Sequence, residues 1–344
     1  MSGIWTHAGI FGDDGEPARH AARESWALGE GHTPLEEHPD LAAQVAVSRL
    51  FLKREDLNPS GSHKDRGLLY QVVRHAPQGG VTFVLSSSGN AAVSAAAACR
   101  ITGNRLVAFV SPDTDASKLA RLRASGATVL SCSKPINFAR YAARVFGLPD
   151  LRGTRDPCAS IGYRSLAGEI HAALPQRGAL FTFSSSGISM EGIADGFHRS
   201  GKMPALWSVQ SGECLGLVRA IEPEVAADPS SPAGRLGIRN PPHAGELAQR
   251  LLDSGGGALA VMGAEVRAWS QRLTERGLKT SAEGAAVLAG IEATRGLESE
   301  TVVAILTGSG EALPPCEEAE PLAEINSYLD VRHFFTEELG TEPL

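Results

Sequence analysis

The stretch VTFVLSSSGNAAVSAAAACR, residues 81–100, decides the fold class. VTFVLSSS (81–88) reads as a strand that ends in small polar residues, and AAVSAAAACR (91–100) follows as a helix. The same unit recurs on both sides. RLVAFVS (105–111) predicts a strand, ASKLARLRASG (116–126) a helix, ATVLSC (127–132) a strand, and a helix is expected near 137–146. Further on, ALFTFSSS (179–186) predicts a strand with a helix after Ile188, and ALWSVQ (205–210) and TVVAILTG (301–308) predict two more strands. Strand–helix alternation at this spacing predicts an α/β protein with parallel sheets covered by helices.

Bulk properties agree. A chain of 344 residues has ample material for a buried core, as one large domain or two lobes. Its 42% apolar and 21% charged content is that of a soluble globular protein. A formal charge of −7 without a long basic run argues against nucleic acid and anionic membranes as partners. No apolar run reaches the roughly 18 residues that span a bilayer, and the N-terminus lacks the pattern of a secretion signal. Five scattered cysteines (Cys99, Cys132, Cys158, Cys214, Cys316) form no C-x-x-C pair, so a reduced, cytoplasmic setting without structural zinc is expected. The ten histidines show no metal spacing.

Three expected strands end in serine and glycine: SSSGN (86–90), SSSGIS (184–189) and TGSG (307–310). Ligands of open α/β sheets bind outside the carboxyl ends of strands. A fourth feature is NPSGSHKDRGLLYQVV (58–73), which sets Lys64 at the mouth of an apolar helix. Gly61 permits a sharp turn, Ser62 is a good N-cap, and Asp65 follows three residues later, close to a capping box. The helix dipole and burial both disfavour the ammonium form of Lys64, and a neutral lysine amine forms a Schiff base with an aldehyde. The plainer alternatives are tight strand-to-helix turns and a solvated helix-start lysine. In FSSSGISMEGIADGF (183–197), residues Ser184, Ser185, Ser186, Gly187, Ile188 and Ser189 offer amides and hydroxyls at a helix start, where a phosphate dianion binds. The segment has neither a P-loop lysine nor a dinucleotide fingerprint. An aldehyde-reactive lysine with a separate phosphate cup describes pyridoxal 5′-phosphate.

In this order the motifs resemble the threonine synthase branch of the fold type II pyridoxal-phosphate enzymes, from about Leu28 to Pro315. LGEGHTPL (28–35) is similar to that branch's N-terminal signature, and LKREDLNPSGSHKDRG (52–67) to its cofactor-lysine motif. The resemblance implies that Lys64 carries the cofactor. SSGNAAVSAAAA (87–98) resembles the substrate-carboxylate loop, which implies Asn90 beside the ring hydroxyl and Ser87 and Ser88 near the carboxylate. SSSGIS stands at the phosphate loop. LTGSGE (306–311) implies Thr307 at the pyridine nitrogen, and SAEGAAVLAG (281–290) resembles the helix start beside the ring. A homodimer is implied by analogy.

The chain also departs from the branch. Where the family has NP-x-R-L-E-G-Q-K-T, a gapless overlay on DPCASIGYRS (156–165) puts Ala159 in place of the phosphate-binding arginine and Ile161 in place of the glutamate. Arg155 and Arg164 are nearby substitutes, and Arg164 is taken as a substrate contact. The expected reaction is elimination or replacement of an oxygen leaving group on a small L-amino acid, with O-phosphohomoserine in doubt. The alternatives are a serine/threonine dehydratase or β-replacement synthase, a non-catalytic ligand- or partner-binding relative, and a nucleotide-binding α/β protein. His63 is expected to shape the site wall, Glu283 to cap a helix or approach the ring, and Cys214 to pack. Two lobes are expected: a large one from residues 1–66 and 154–316 and a small one from 67–153, with 317–344 as an appendage and 223–245 as a surface excursion.

Overall fold

Strands and helices alternate as expected in the computed structural model, which describes residues 3–15, 26–176, 178–234, 238, 240–310 and 323–344. The strands are β1 (Leu35–Glu37), β2 (Arg49–Lys53), β3 (Thr82–Ser86), β4 (Arg105–Val110), β5 (Thr128–Cys132), β6 (Ala179–Phe183), β7 (Ala205–Ser211), β8 (Gly257–Val261), β9 (Thr301–Ile305) and β10 (Ala323–Ile325). They form a six-stranded sheet of order β1-β2-β9-β6-β7-β8 and a four-stranded sheet of order β10-β5-β4-β3. Every ladder is parallel except β1–β2.

Continuous apolar strands bury both faces, the signature of a parallel sheet under helices. In β9, Val302 and Ala304 join one core while Val303 and Ile305 join another. In β3, Phe83 and Leu85 face one core and Val84 the other. This is the two-residue strand period applied to a sheet covered on both sides. Helix Ala282–Ala293 lies under the larger sheet, with residues Gly284 to Ile291 all buried. Its small side chains allow that approach: a Cβ on Gly290 would stand 2.6 Å from Val209 Cγ2. Helix Lys64–His75 sends Leu68, Leu69, Val72 and Val73 into the core of the smaller sheet. The helix that begins at Lys64 is therefore anchored to the smaller layer.

Most of the expected strands stop before their serine runs, which leave the ladders as loops. Strand β8 was not anticipated, because GALAV lacks β-branched residues apart from its last. Residues 323–344 add β10 beside β5 of the smaller sheet, with Val331 and Phe335 packed among Phe138 and Phe146. The 223–245 segment is less superficial than its composition suggests. Ser231 and Ala233 are buried, and the Ser231 hydroxyl is 2.7 Å from that of Ser211.

Candidate active site

The strand ends converge on one cleft of about 630 Å³. Its walls include Lys64, the run Ser86–Asn90, Ser185, Ser186, Ser189, Thr307 and Gly308. That volume falls within the range of small-ligand sites, roughly 300–1,000 Å³.

Lys64 is presented by a turn stitched to its surroundings on every side. Gly61 has φ 73°, in the left-handed region. The Ser309 amide donates to Gly61 O at 2.8 Å, and the His63 amide to Thr307 O at 3.1 Å. The expected cap is redistributed. Ser62 Oγ accepts from the Lys64 amide at 3.2 Å, while Asp65 reaches back to the Ser60 amide and hydroxyl at 2.8 and 2.5 Å. Loss of hydration pulls the Lys64 amine down to about 8, and no carboxylate forms an ion pair with it among the described residues. Its Nζ lies 5.8 Å from the centre of the Tyr163 ring, which also meets the His63 ring. A largely desolvated amine near neutrality suits covalent capture of a carbonyl.

His63 is a wall residue with a defined tautomer. Nδ1 lies 2.8 Å from the Thr307 carbonyl, so Nδ1 carries the proton. Nε2 is buried without a partner, and burial pushes the imidazole down to about 3. His63 is thus neutral, with a bare acceptor at the cleft wall.

Beyond β3, Ser87, Ser88 and Gly89 lead into helix Asn90–Ile101 at the cleft wall, and a helix start is a favourable end for negative charge. Asn90 Oδ1 accepts from Arg121 Nη1 at 3.0 Å. Beyond β6, the Ser184 amide continues the ladder to Val209 O, and Gln210 Nε2 donates to Ser184 O at 2.7 Å. Ser184 Oγ is buried without a partner. Gly187 has φ 84°, and a Cβ there would stand 2.6 Å from Leu247 Cδ2. Helix Ile188–Arg199 starts immediately after it. Of the six residues expected in the phosphate cup, Ser185, Ser186 and Ser189 line the cleft. Gly187 and Ile188 face a neighbouring 410 Å³ pocket that shares Ser186, and Ser184 lies beneath the turn.

Arg164 is placed elsewhere, contrary to expectation. Its Nη1 donates to Asp14 at 2.7 Å and its Nη2 to Asp195 at 3.4 Å, and it does not line the cleft. Ala159 likewise faces the neighbouring pocket. Among the described residues, two further basic groups line the cleft, Arg152 and Lys118, and sequence reasoning passed over both. Residues 149–151 run beside β3, with Val84 N donating to Pro149 O and Leu151 N to Val84 O. This delivers Arg152 to the end of β3, where Nη1 donates to Ser86 Oγ at 3.1 Å. Asp150, the nearest acid, is held by Arg155 at 2.6 Å. Glu283 also lines the cleft, and its Oε1 accepts from the Gly234 amide at 3.2 Å.

Behind the site, Arg66 is fully buried between Glu55 and Glu169, and Lys53 donates to Glu169 at 2.7 Å. Burial alone would raise the Glu169 carboxyl, but Arg66 and Lys53 hold it far below the usual range. The LGEGHTPL segment plugs into this network. Thr33 donates to Glu55, the His32 amide to Glu169, and the Gly31 amide to Asn58 in the lysine loop. That motif therefore braces the turn carrying Lys64.

A lysine amine, a serine-rich helix start and a buried hydroxyl at Thr307 around one cleft fit an aldehyde-bearing phosphorylated pyridine. The unpartnered His63 Nε2 leaves polar capacity free at the cleft wall, and Ser184 Oγ leaves more beneath the turn. Residues 27–308 match the model of the pyridoxal-phosphate dependent enzymes, and the chain belongs to that family. Its cofactor is pyridoxal 5′-phosphate. Among curated proteins, it is 26% identical over 329 residues to the threonine synthase of Methanosarcina acetivorans, covering 89% of this chain and 79% of that one. It is 30% identical over 175 residues to the human L-serine dehydratase/L-threonine deaminase, covering 49% and 53%. In fold it resembles the serine racemase of Dictyostelium discoideum, with TM-score 0.73, 16% identity and 88% and 99% coverage. It also resembles an O-ureido-L-serine synthase, with TM-score 0.69, 21% identity and 81% and 90% coverage.

Proposed function

We propose that this enzyme eliminates or replaces an oxygen leaving group on a small L-amino acid, and that the favoured leaving group is acidic. The observation that carries the reading is the Lys64 amine, drawn down to about 8, in the cleft between the Ser87–Asn90 loop and the serine turn. When bound, the cofactor supplies an aldehyde that captures amino groups and a conjugated ring that accepts electrons from Cα. The chain's own residues do the rest. Lys64 anchors the cofactor and, once released, its amine takes the Cα proton. The 185–189 turn binds the cofactor phosphate through amides and hydroxyls, with Ser184, Gly187 and Ile188 setting its shape. Asn90 would hold the ring hydroxyl and Thr307 the ring nitrogen. Ser87, Ser88 and the first amides of helix Asn90–Ile101 hold the substrate carboxylate.

Arg152 supports an acidic leaving group. Its guanidinium faces the cleft with a serine hydroxyl as its side-chain contact, and its nearest acid is committed to Arg155. It can supply the charge that the Ala159 position lacks. This restores phosphorylated hydroxyamino acids as substrates, O-phosphohomoserine among them. The second reading is a dehydratase of free serine or threonine, favoured by the 30% identity to the human dehydratase. Turnover of O-phosphohomoserine, O-phosphoserine, threonine and serine, measured side by side, separates the two. Preference for the phosphate esters supports the first reading, and equal or better use of free serine and threonine overturns it. A non-catalytic relative is tested by Lys64→Ala, which abolishes turnover if the protein is an enzyme of this kind. We also propose a homodimer in a reducing, cytoplasmic setting, and closure of the 67–153 lobe over the bound substrate. Sedimentation tests the first of these.

A further inference from the structure

Arg121 sits on helix Ala116–Ala124 and points inward. Its Nη1 donates to Asn90 Oδ1 at 3.0 Å, and its Nη2 donates to the carbonyl of Ser60, in the turn that presents Lys64. Its Nε is buried without a partner. No carboxylate pairs with it among the described residues. Asp65 is the acid that acts on it through space, and the Asp65 oxygens are already bonded to Ser60. A half-buried cation held only by two neutral oxygens is a costly arrangement, and its partners indicate its use.

A guanidinium only donates hydrogen bonds, so the Asn90 atom it touches is the amide oxygen. The orientation of that amide is thereby fixed. Asn90 Nδ2 turns toward Gly308, 3.4 Å from where a Cβ on that glycine would stand, beside Thr307 in the cleft wall. A cation on the amide oxygen also polarises the N–H bonds at the other end and makes them stronger donors.

We propose that Arg121 is a positioning residue for the cofactor: it locks the Asn90 amide with its N–H bonds toward the ring hydroxyl and ties that amide to the turn carrying Lys64. The proposal rests on the functional reading that places Asn90 at the ring hydroxyl, and goes beyond it by naming what orients the amide. The ring hydroxyl is then held in its ionised, yellow-absorbing form by a neutral amide that acts with cationic strength.

The test compares wild type, Arg121→Met, Arg121→Lys, Asn90→Ala and the double variant N90A/R121M, each stripped of cofactor and titrated with pyridoxal phosphate. The readouts are cofactor affinity by fluorescence and the absorption spectrum across pH. Arg121→Met and Asn90→Ala should both move absorbance from the visible band to the near-ultraviolet. Arg121→Met should also weaken cofactor binding by about tenfold, the scale of one charge-assisted hydrogen bond. The double variant should move the spectrum no further than Asn90→Ala alone, and Arg121→Lys should recover most of the band. If Arg121→Met does not fold, Arg121→Gln carries the same comparison, with Arg121→Lys as the rescue. An unmoved spectrum and pH titration in Arg121→Met or Arg121→Gln overturns the proposal, even with a lowered Tm, and so does full additivity with Asn90→Ala. A wild-type protein whose cofactor cannot be fixed to Lys64 by borohydride removes the functional reading itself. A normal wild-type band with unmoved variants removes only the role of Arg121.

Discussion

Replacing Lys64 by methionine should make the cofactor-free protein more stable at neutral pH while abolishing activity. Methionine keeps an unbranched, flexible side chain and drops the charge. The magnitude follows from the fall of the lysine from its ordinary 10.5 to about 8, since each unit corresponds to 1.36 kcal/mol of preference for the neutral form. The full shift is about 3 kcal/mol, and water in the cleft reduces it to roughly 1–3 kcal/mol. The sign is set by proton uptake. Between about 8 and 10.5 the unfolded chain holds the Lys64 proton and the folded chain does not, so raising the pH through this window stabilises the wild type. Below about 8 both states are protonated and the wild type bears the whole penalty. Urea unfolding of the two cofactor-free proteins at pH 7 and pH 10 measures this, because all other titrating groups cancel in the difference. Lys64→Met should be more stable at pH 7, and most of its advantage should vanish by pH 10. An advantage absent at pH 7, or unchanged at pH 10, refutes an uncompensated cation at this position.

Arg152→Met should lower kcat/KM for phosphorylated hydroxyamino acids by about 10- to 100-fold, equivalent to roughly 1.5–3 kcal/mol, and leave free serine within a few-fold. Equal losses on both substrate types would place Arg152 at the α-carboxylate instead. Glu169→Gln should cost about 3–5 kcal/mol in denaturant unfolding, because it leaves Arg66 and Lys53 short of a buried counter-charge. Gly187→Ala should weaken cofactor binding by tenfold or more in fluorescence titration, since the left-handed backbone and Leu247 both oppose a Cβ at the turn.

The site was legible where chemistry is carried by a local run. Lys64 and the serine-ended strands announce themselves because strand-to-helix turns at one edge of a parallel sheet must converge. Thr307 belonged to such a run, and the ladder between β2 and β9 brings it to the lysine turn. What was not legible depended on pairings between distant segments. Arg152 is one of 32 basic residues, and only the alignment of 149–151 beside β3 brings it to the cleft. A run such as LPDLR, close behind a helix and bound for a strand edge, is the signal that could have found it. Arg164 was misassigned for the complementary reason: nearness in sequence to the family motif says nothing about which face of helix Arg164–Ala173 meets Asp14 and Asp195. Arg121 and the Lys53–Glu55–Arg66–Glu169 cluster are likewise partnerships across the fold. Ser62 was a reasonable cap by residue type, but the turn gave its Asp65 to Ser60.

The return of β10 to the smaller sheet has a consequence for biosynthesis. Strand β5 (Thr128–Cys132) is laid down long before its outer-edge partner among the described residues, Ala323–Ile325. During translation that edge stands bare until residues 323–335 have emerged, with Phe138 and Phe146 until then missing Val331 and Phe335 above them. The nascent protein therefore carries a sticky, half-finished layer over that interval, and emergence of the β10 segment is what closes it.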